Sequence, residues 1–235
     1  MIIKFKLFEN FSYGKSESYA KKICDELGYV YIRKISSGAF GTTFKIKDKD
    51  DGVKCLKITS EKSEAMTADK LRKKPYTKHL INFYDVRYIK SFESYAIIED
   101  YIRNLNDLSK ENVLLYQVIK EIVESVKSNF DDNTGLIKKT DFLIKSIVKY
   151  ILRIENIKKL NVGEEDVFEL VVKYFNQVID LQKEMKKYHL GKLLFSDFQT
   201  GNVGLDEYDN LKFFDIMSES MYGKSPNLKL KELDI

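Results

Sequence analysis

The chain has little of what several protein classes depend on. It contains no Trp, two Pro and two Cys, and 40 Lys and Arg nearly balance 36 Asp and Glu. Two cysteines in 235 residues, Cys24 and Cys55, provide neither a disulfide framework nor a zinc site, and they are typical of a reducing compartment. A net charge of +4 is too small to indicate a nucleic-acid-binding protein by itself.

Long apolar runs are also missing. No stretch approaches the length of a membrane span, and Lys4 and Lys6 interrupt the short apolar segment at the N-terminus. The sequence therefore predicts neither a transmembrane helix nor a signal peptide. With 43% hydrophobic and 13% aromatic residues, the composition is that of a globular protein. We expect a soluble, cytoplasmic protein with no membrane partner.

The first part of the chain alternates between helix and strand patterns. Residues 15–27 predict a short helix ended by Gly28, and residues 61–73 predict a polar helix ended before Pro75. Runs rich in β-branched and aromatic residues predict five strands. These are Tyr29–Ile35, Thr42–Lys47, Val53–Ile58, Ile81–Tyr88 and Tyr95–Tyr101.

After residue 103 the apolar spacing becomes helical. Residues 110–128, 140–159 and 165–188 carry apolar side chains at intervals of three and four, which predicts three long helices. A half with five strands joined to a helical half indicates a two-lobed α+β protein. The predicted divisions are an N-terminal extension at 1–28, a sheet lobe at 29–102 and a helical lobe at 103–235.

Three polar residues near the C-terminal end carry the strongest chemical signal. Asp197 precedes Asn202 by five residues, and Asp215 follows thirteen residues later, after an apolar strand. This layout suits phosphoryl transfer, because one carboxylate can orient a hydroxyl nucleophile. The amide oxygen and the second carboxylate can hold Mg²⁺ against nucleotide phosphates.

A glycine-bearing turn and a strand lysine lie upstream. Gly38 and Gly41 separate two predicted strands, and glycine lets backbone N–H groups approach phosphate oxygens. Lys57 follows sixteen residues after Gly41, in the next strand, where it can bind the α- and β-phosphates. An ordinary hairpin turn and a solvated strand lysine explain the same residues when each is taken alone.

The order and spacing of these segments, over about residues 30–217, resemble the protein-kinase superfamily. Ser36 stands at the first glycine of the nucleotide-binding loop, Lys57 at the strand lysine, and Ile97–Tyr101 at the segment that receives adenine. Asp197, Asn202 and Asp215 match the catalytic Asp, the metal-binding Asn and the Asp of the Asp-Phe-Gly motif. The resemblance is closest to small phage-encoded or bacterial-effector kinases with a truncated C-terminal lobe, which act in the host cytoplasm.

The resemblance implies a kinase-like fold with a five-stranded antiparallel sheet lobe and a shortened helical lobe. It implies ATP and Mg²⁺ as cofactors, Asp197 and Lys57 as catalytic residues, and Asn202 and Asp215 as metal ligands. The implied nucleotide-binding residues are Ser36, Gly38, Phe40, Gly41, Lys57, Glu64, Ile98, Glu99 and Tyr101. Ile98 would lie at the back of the pocket. Glu64 is the first choice for the glutamate that pairs with Lys57.

Two further assignments, the glutamate that pairs with Lys57 and the role of Asp107, stay open. Glu61, one helical turn earlier, is the alternative partner of Lys57, whereas Asp69 is shorter. Asp107 suits either a contact with a ribose hydroxyl or a helix cap.

A basic cluster around Pro75 is typical of a solvated helix face, although it suits an acidic partner as well. The cluster consists of Lys70, Arg72, Lys73, Lys74, Lys78 and His79, and His79 is assigned no catalytic role.

Several positions depart from the kinase pattern. Phe195 and Ser196 replace His-Arg, Gln199 replaces a catalytic-loop Lys, and Ile216-Met217 replaces Phe-Gly. Only twenty residues follow Asp215 in the sequence, with no Ala-Pro-Glu motif. The leading hypothesis is a kinase that phosphorylates Ser or Thr of proteins. A small-molecule phosphotransferase of the aminoglycoside or choline type, a pseudokinase-like binding module and transfer of AMP are the alternatives.

Overall fold

A computed structural model of the chain describes residues 13–37, 41–131, 136–137, 140–187, 200–214 and 230–233. The chain divides into two compact units. We call Met1–Pro75, Asn82–Tyr101 and Ser220–Ile235 the sheet unit, and Tyr76–Ile81 with Ile102–Glu219 the helical unit. The main division at Tyr101 lies one residue from the expected boundary. The sequence did not indicate that Tyr76–Ile81 belongs to the helical unit and the C-terminal segment to the sheet unit.

The sheet unit is built on a mixed sheet of six strands. Its strands are β1 (Val30–Ser37), β2 (Gly41–Lys47), β3 (Val53–Thr59), β4 (Phe83–Ile89), β5 (Ser94–Asp100) and β11 (Lys231–Leu233). Their order is β1-β2-β3-β5-β4-β11, and β11 alone among these described strands runs parallel to its neighbour. The expectation of a five-stranded antiparallel sheet was therefore wrong by one strand. Three residues are too short a run to show strand periodicity in the sequence.

Helices cover both faces of this sheet. Helix α1 (Tyr13–Leu27) contributes Ala20, Ile23 and Cys24 to a core that also holds Phe44 and Leu233. Helix α2 (Lys62–Leu71) packs through its two buried alanines against Val86 and Ile97 on the other face. The N-terminal helix is thus a layer of the sheet unit. Successive strand residues point to opposite faces, which is why one strand supplies both cores.

The helical unit is formed mainly by three long helices. Its described helices are α3 (Leu105–Glu111), α4 (Val113–Asn129), α5 (Thr140–Ile151), α6 (Glu155–Lys158) and α7 (Glu164–Lys187). Helices α4, α5 and α7 contact one another and bury the apolar stripes that the sequence predicted. The helix predicted over 140–159 instead breaks after Ile151. No helix in the described ranges is both long and apolar enough to cross a membrane.

Two asparagines explain a helix that the sequence did not predict. The Asn104 side chain accepts a hydrogen bond from the Asp107 backbone N–H and caps α3. The Asn112 side chain accepts one from Leu115 N–H at the start of α4. Asp107 therefore lies in the first turn of α3, where its charge suits the helix dipole. The helix predicted over 110–128 begins at Val113, and the side chain that caps it is Asn112 rather than Asp107.

Short strands complete the fold. Strands β6 (Arg103–Asn104), β9 (Val203–Leu205) and β10 (Leu211–Phe213) form a small sheet in the order β10-β9-β6. Strands β7 (Phe130–Asp131) and β8 (Leu136–Ile137) form a separate pair. A 3₁₀ turn at Thr200–Asn202 leads directly into β9. This small sheet therefore holds the chain on the C-terminal side of Asn202.

Candidate functional site

Lys57 and Glu64 form an ion pair inside the sheet unit. Lys57 is on β3, Glu64 is in the first turn of α2, and Lys57 Nζ contacts Glu64 Oε1. The Lys57 side chain is 17% exposed and the Glu64 side chain 6%. A charge this far from water needs an opposite charge beside it, and each of these groups supplies it for the other. Of the two partners that the sequence left open, the structure pairs Lys57 with Glu64.

The alternatives to Glu64 have different surroundings. Glu61 lies at the N-cap of α2 and is half-buried. Asp69 lies near the other end of α2, where its carboxylate accepts from Arg72 Nε at 2.8 Å and from Lys73 Nζ at 2.6 Å. Both cations hold the pKa of Asp69 below its usual range, although burial opposes them as the largest single influence. Asp69 therefore pairs with the basic cluster rather than with Lys57.

The register of the sheet shows which residues share a face with Lys57. Lys57 lies opposite Thr43 on β2 and Ile97 on β5, so these three side chains point to the α2 side. Ile98, the next residue, points to the α1 side, where it is buried in the core with Leu56. The place of Ile98 at the back of a nucleotide pocket stays a prediction, and the alternation of β5 puts Ile97 on the face of Lys57.

One carboxylate oxygen of Glu64 is left over. Within the described part of the chain, Glu64 Oε2 is buried and has no hydrogen-bond partner. A buried acceptor without a donor lowers stability. The ion pair therefore uses one oxygen of Glu64 and leaves the other as an acceptor facing the interior.

The glycine turn is described only at its edges. Ser36 lies opposite Thr43 where β1 meets β2, and Gly41 begins β2. A Cβ on Gly41 would lie 2.4 Å from the Ile58 carbonyl oxygen. Gly41 is therefore required by the close approach of β3, which is a structural reason independent of any phosphate. Gly38 and Phe40 lie outside the described residues.

The strand expected to receive adenine ends in a polar network. Asp100 is 8% exposed, and its carboxylate accepts from Asn82 Nδ2 at 2.7 Å and from Tyr84 Oη at 2.5 Å. Lys54 Nζ donates to Tyr84 Oη at 2.9 Å. The sequence indicated no role for the Asp100 side chain, which ends β5 directly after Glu99.

Glu99 and Tyr101 flank Asp100. Glu99 lies opposite Cys55 and shares the face of Lys57. The Tyr101 ring lies under the ammonium group of Lys45, 4.1 Å from ring centroid to Nζ. The ring of Tyr101 is therefore in contact with a side chain of the sheet unit.

In the helical unit, Asn202 is the described member of the C-terminal trio. It is 7% exposed and ends the 3₁₀ turn before β9. Its backbone carbonyl accepts from Phe214 N–H at 2.9 Å. Phe214 directly precedes Asp215 in the sequence, and this hydrogen bond holds Phe214 beside Asn202. Asp197 and Asp215 themselves lie outside the described residues.

His79 is part of the interior of the helical unit. It is 1% exposed, its Nδ1 donates to the Leu211 carbonyl at 3.0 Å, and burial lowers its pKa. Lys78 is exposed beside it. No group of three or more His, Cys, Asp or Glu residues able to hold a metal occurs among the described residues.

Comparison of the chain with protein-family models and with curated proteins found no match. The Lys57–Glu64 pair and the setting of Asn202 are therefore interpreted from their own geometry.

Proposed function

We propose that the chain is an ATP- and Mg²⁺-dependent phosphotransferase that acts as a protein kinase on Ser or Thr hydroxyls. The observation that supports this most is the ion pair between Lys57 and Glu64. A strand lysine whose direction is set by a buried glutamate presents its ammonium group in one place. That is the requirement for binding the α- and β-phosphates of a nucleotide.

Glu64 would act through Lys57. Its Oε1 contacts Lys57 Nζ, and its place on α2 ties the lysine to the helix as well as to the strand. Lysine is flexible, and without this contact its ammonium group would sample several positions. Loss of Glu64 should therefore weaken nucleotide binding even though Glu64 itself does not touch the phosphates.

Asn202 and Asp215 would hold the metal. Amide and carboxylate oxygens are the hard donors that Mg²⁺ prefers, and the hydrogen bond from Phe214 N–H to the Asn202 carbonyl brings the chain next to Asp215 beside Asn202. These residues therefore fit the group. When bound, Mg²⁺ neutralises charge on the phosphate oxygens.

Asp197 would orient the acceptor hydroxyl and receive its proton. The hydroxyl oxygen forms a bond to the γ-phosphorus, the bond from that phosphorus to the β–γ bridging oxygen breaks, and ADP leaves. Such catalysis depends on alignment and charge placement more than on covalent chemistry. We expect Asp197→Ala to bind ATP normally and to transfer phosphate roughly 10²–10⁴-fold more slowly. Full activity in this variant would refute the role of Asp197.

The acceptor is identified by mass spectrometry of a cell extract incubated with ATP, Mg²⁺ and the protein, beside the Asp197→Ala variant. Phosphate on protein Ser or Thr that depends on Asp197 supports the proposal. Phosphate on small molecules would replace it with the small-molecule phosphotransferase. Transfer of AMP, or tight binding of a partner without any turnover, would each overturn it.

A matched pair of lysine variants tests the nucleotide role. Lys57→Met should weaken ATP binding, whereas Lys54→Met should not, because Lys54 is on the same strand but points to the other face. Titration of both variants with a fluorescent ATP analogue measures the difference. Equal affinities in the two variants would remove the main support for the proposal.

A further inference from the structure

A carboxylate on α7 binds three successive backbone N–H groups. Glu184 Oε1 accepts from Lys78 N–H at 2.9 Å, and Glu184 Oε2 accepts from His79 and Leu80 N–H at 3.0 and 3.1 Å. Hydrogen bonds to an ionised acceptor are about twice as strong as neutral ones. The segment 78–80 is therefore fixed to α7 by one side chain.

The same segment holds β10 in place. Phe213 N–H donates to the His79 carbonyl at 2.8 Å, and Ile81 N–H donates to the Phe213 carbonyl at 3.0 Å. From β10, Lys212 Nζ donates to the Thr77 carbonyl at 3.1 Å, and Lys212 is only 3% exposed. Because β10 both donates hydrogen bonds to residues 77–81 and accepts one from them, the strand is held against this part of the chain.

Strand β10 in turn leads to Asn202. It pairs with β9, which follows the 3₁₀ turn of Asn202, and Phe214 N–H closes the connection by donating to the Asn202 carbonyl. Helix α7 also holds β10 directly, since Gln177 Oε1 accepts from Leu211 N–H at 2.6 Å. A continuous set of hydrogen bonds thus runs from Glu184 to the backbone of Asn202.

We propose that Glu184 is a positioning residue for the metal-binding end of the site. By fixing segment 78–80, it fixes β10 and so the backbone of Asn202, whose side chain would bind Mg²⁺. This inference rests on the proposed function. In this role Glu184 contacts neither the nucleotide nor the metal and acts only through the backbone.

The test compares Glu184→Gln with Asp180→Asn, one helical turn earlier on α7. The first substitution keeps the size of the side chain but places an NH₂ group against backbone donors. Asp180 is 52% exposed and its carboxylate accepts from Lys183, so its substitution removes a similar charge and leaves the hydrogen bonds of Glu184 to the segment in place. Both variants are assayed as full-length protein.

Two measurements separate positioning from general stability. Amide hydrogen exchange without ligand should be about 10-fold faster at Phe213 and Phe214 in Glu184→Gln, and unchanged in the sheet unit. Calorimetric titration with ATP should show that Mg²⁺ improves affinity about 10-fold less in Glu184→Gln than in the native chain. Affinity for metal-free ATP should not change. Asp180→Asn should match the native protein in both measurements.

Unchanged exchange at Phe213, or an unchanged effect of Mg²⁺ on affinity, would overturn the inference. If Glu184→Gln does not fold, Glu184→Asp is used in the same two measurements. It keeps the negative charge, but its side chain is one methylene shorter, which moves the carboxylate oxygens away from the backbone N–H groups. Asp215→Ala distinguishes the two levels of proposal. If Asp215→Ala keeps Mg²⁺-dependent binding, the proposed function fails; if it loses that binding while Glu184→Gln keeps it, only the positioning role fails.

Discussion

The two units hold their polar residues in different ways. In the sheet unit, Lys57 and Glu64 are seven residues apart and meet because a strand is followed at once by a helix. In the helical unit, Glu184 meets Lys78 across 106 residues, and His79 meets Leu211 across 132. Because Lys57 and Glu64 are close in sequence, their contact could be anticipated from the sequence. The contacts of Glu184 and His79 depend on which elements pack together, and sequence spacing does not show which partners they meet.

The largest expected effect tests the local pair of the sheet unit. Lys57→Met leaves Glu64 as a buried charge without its cation, which should lower the free energy of unfolding by about 3–5 kcal/mol. The double variant Lys57→Met with Glu64→Leu should recover most of that loss, because no charge then stays buried. Urea denaturation of native, single and double variants measures this. A double variant no more stable than Lys57→Met would contradict the attribution of this loss to the buried charge of Glu64.

The next effect concerns the strand that the sequence did not predict. Leu233 is 4% exposed and belongs to the α1-side core, so Leu233→Ala should lower the free energy of unfolding by about 2–4 kcal/mol. Exposed Glu232 on the same strand provides the control, and Glu232→Ala should change stability little. If both variants unfold like the native chain, β11 does not contribute to the sheet unit as the structure has it.

Gly41→Ala should have a smaller effect that separates its two explanations. The added Cβ would press on the Ile58 carbonyl, and relief of that contact should cost about 1–3 kcal/mol. Since the contact is within the sheet, the loss should be present without nucleotide. Thermal unfolding with and without ATP and Mg²⁺ gives the answer. A variant as stable as the native chain that only loses ATP affinity would assign Gly41 to the nucleotide instead.

The smallest effect is a pH dependence in the helical unit. Burial lowers the pKa of His79 from its ordinary value of 6.5, so the unfolded chain binds this proton more readily than the folded one. The contribution of neutral His79 to the free energy of unfolding is complete above pH 6.5. It is lost as the pH falls below 6.5 toward the pKa of His79 in the folded protein. Stability should therefore decrease on acidification, and His79→Gln should flatten this dependence. Parallel curves for both proteins in urea titrations across that range would contradict it.

Much of the sheet unit could be predicted because its patterns are local. Alternation located five strands, and the resemblance to kinases left Glu64 and Glu61 as partners of Lys57. The faces of neighbouring residues such as Ile97 and Ile98 depend on register, because a one-residue difference reverses every side chain of a strand. The polar roles of Asp100 and Glu184 were missed. Glu184 lies seven residues after Gln177, on the same face of α7 as buried Leu181, so its position on an inward-facing stripe was visible in the sequence but its partners were not.

By itself the sequence determined the type and position of most helices and strands, since apolar spacing of two or of three and four residues dictates which side of an element avoids water. It also contains the polar residues to which the proposed function assigns phosphoryl transfer. Only the tertiary structure decided that Lys57 pairs with Glu64 rather than with Glu61. It alone decided that residues 231–233 join the sheet, and that a carboxylate on α7 holds segment 78–80. Hydrogen bonds and ion pairs act over about 3 Å of space, and a linear chain does not record which of its distant parts will come that close.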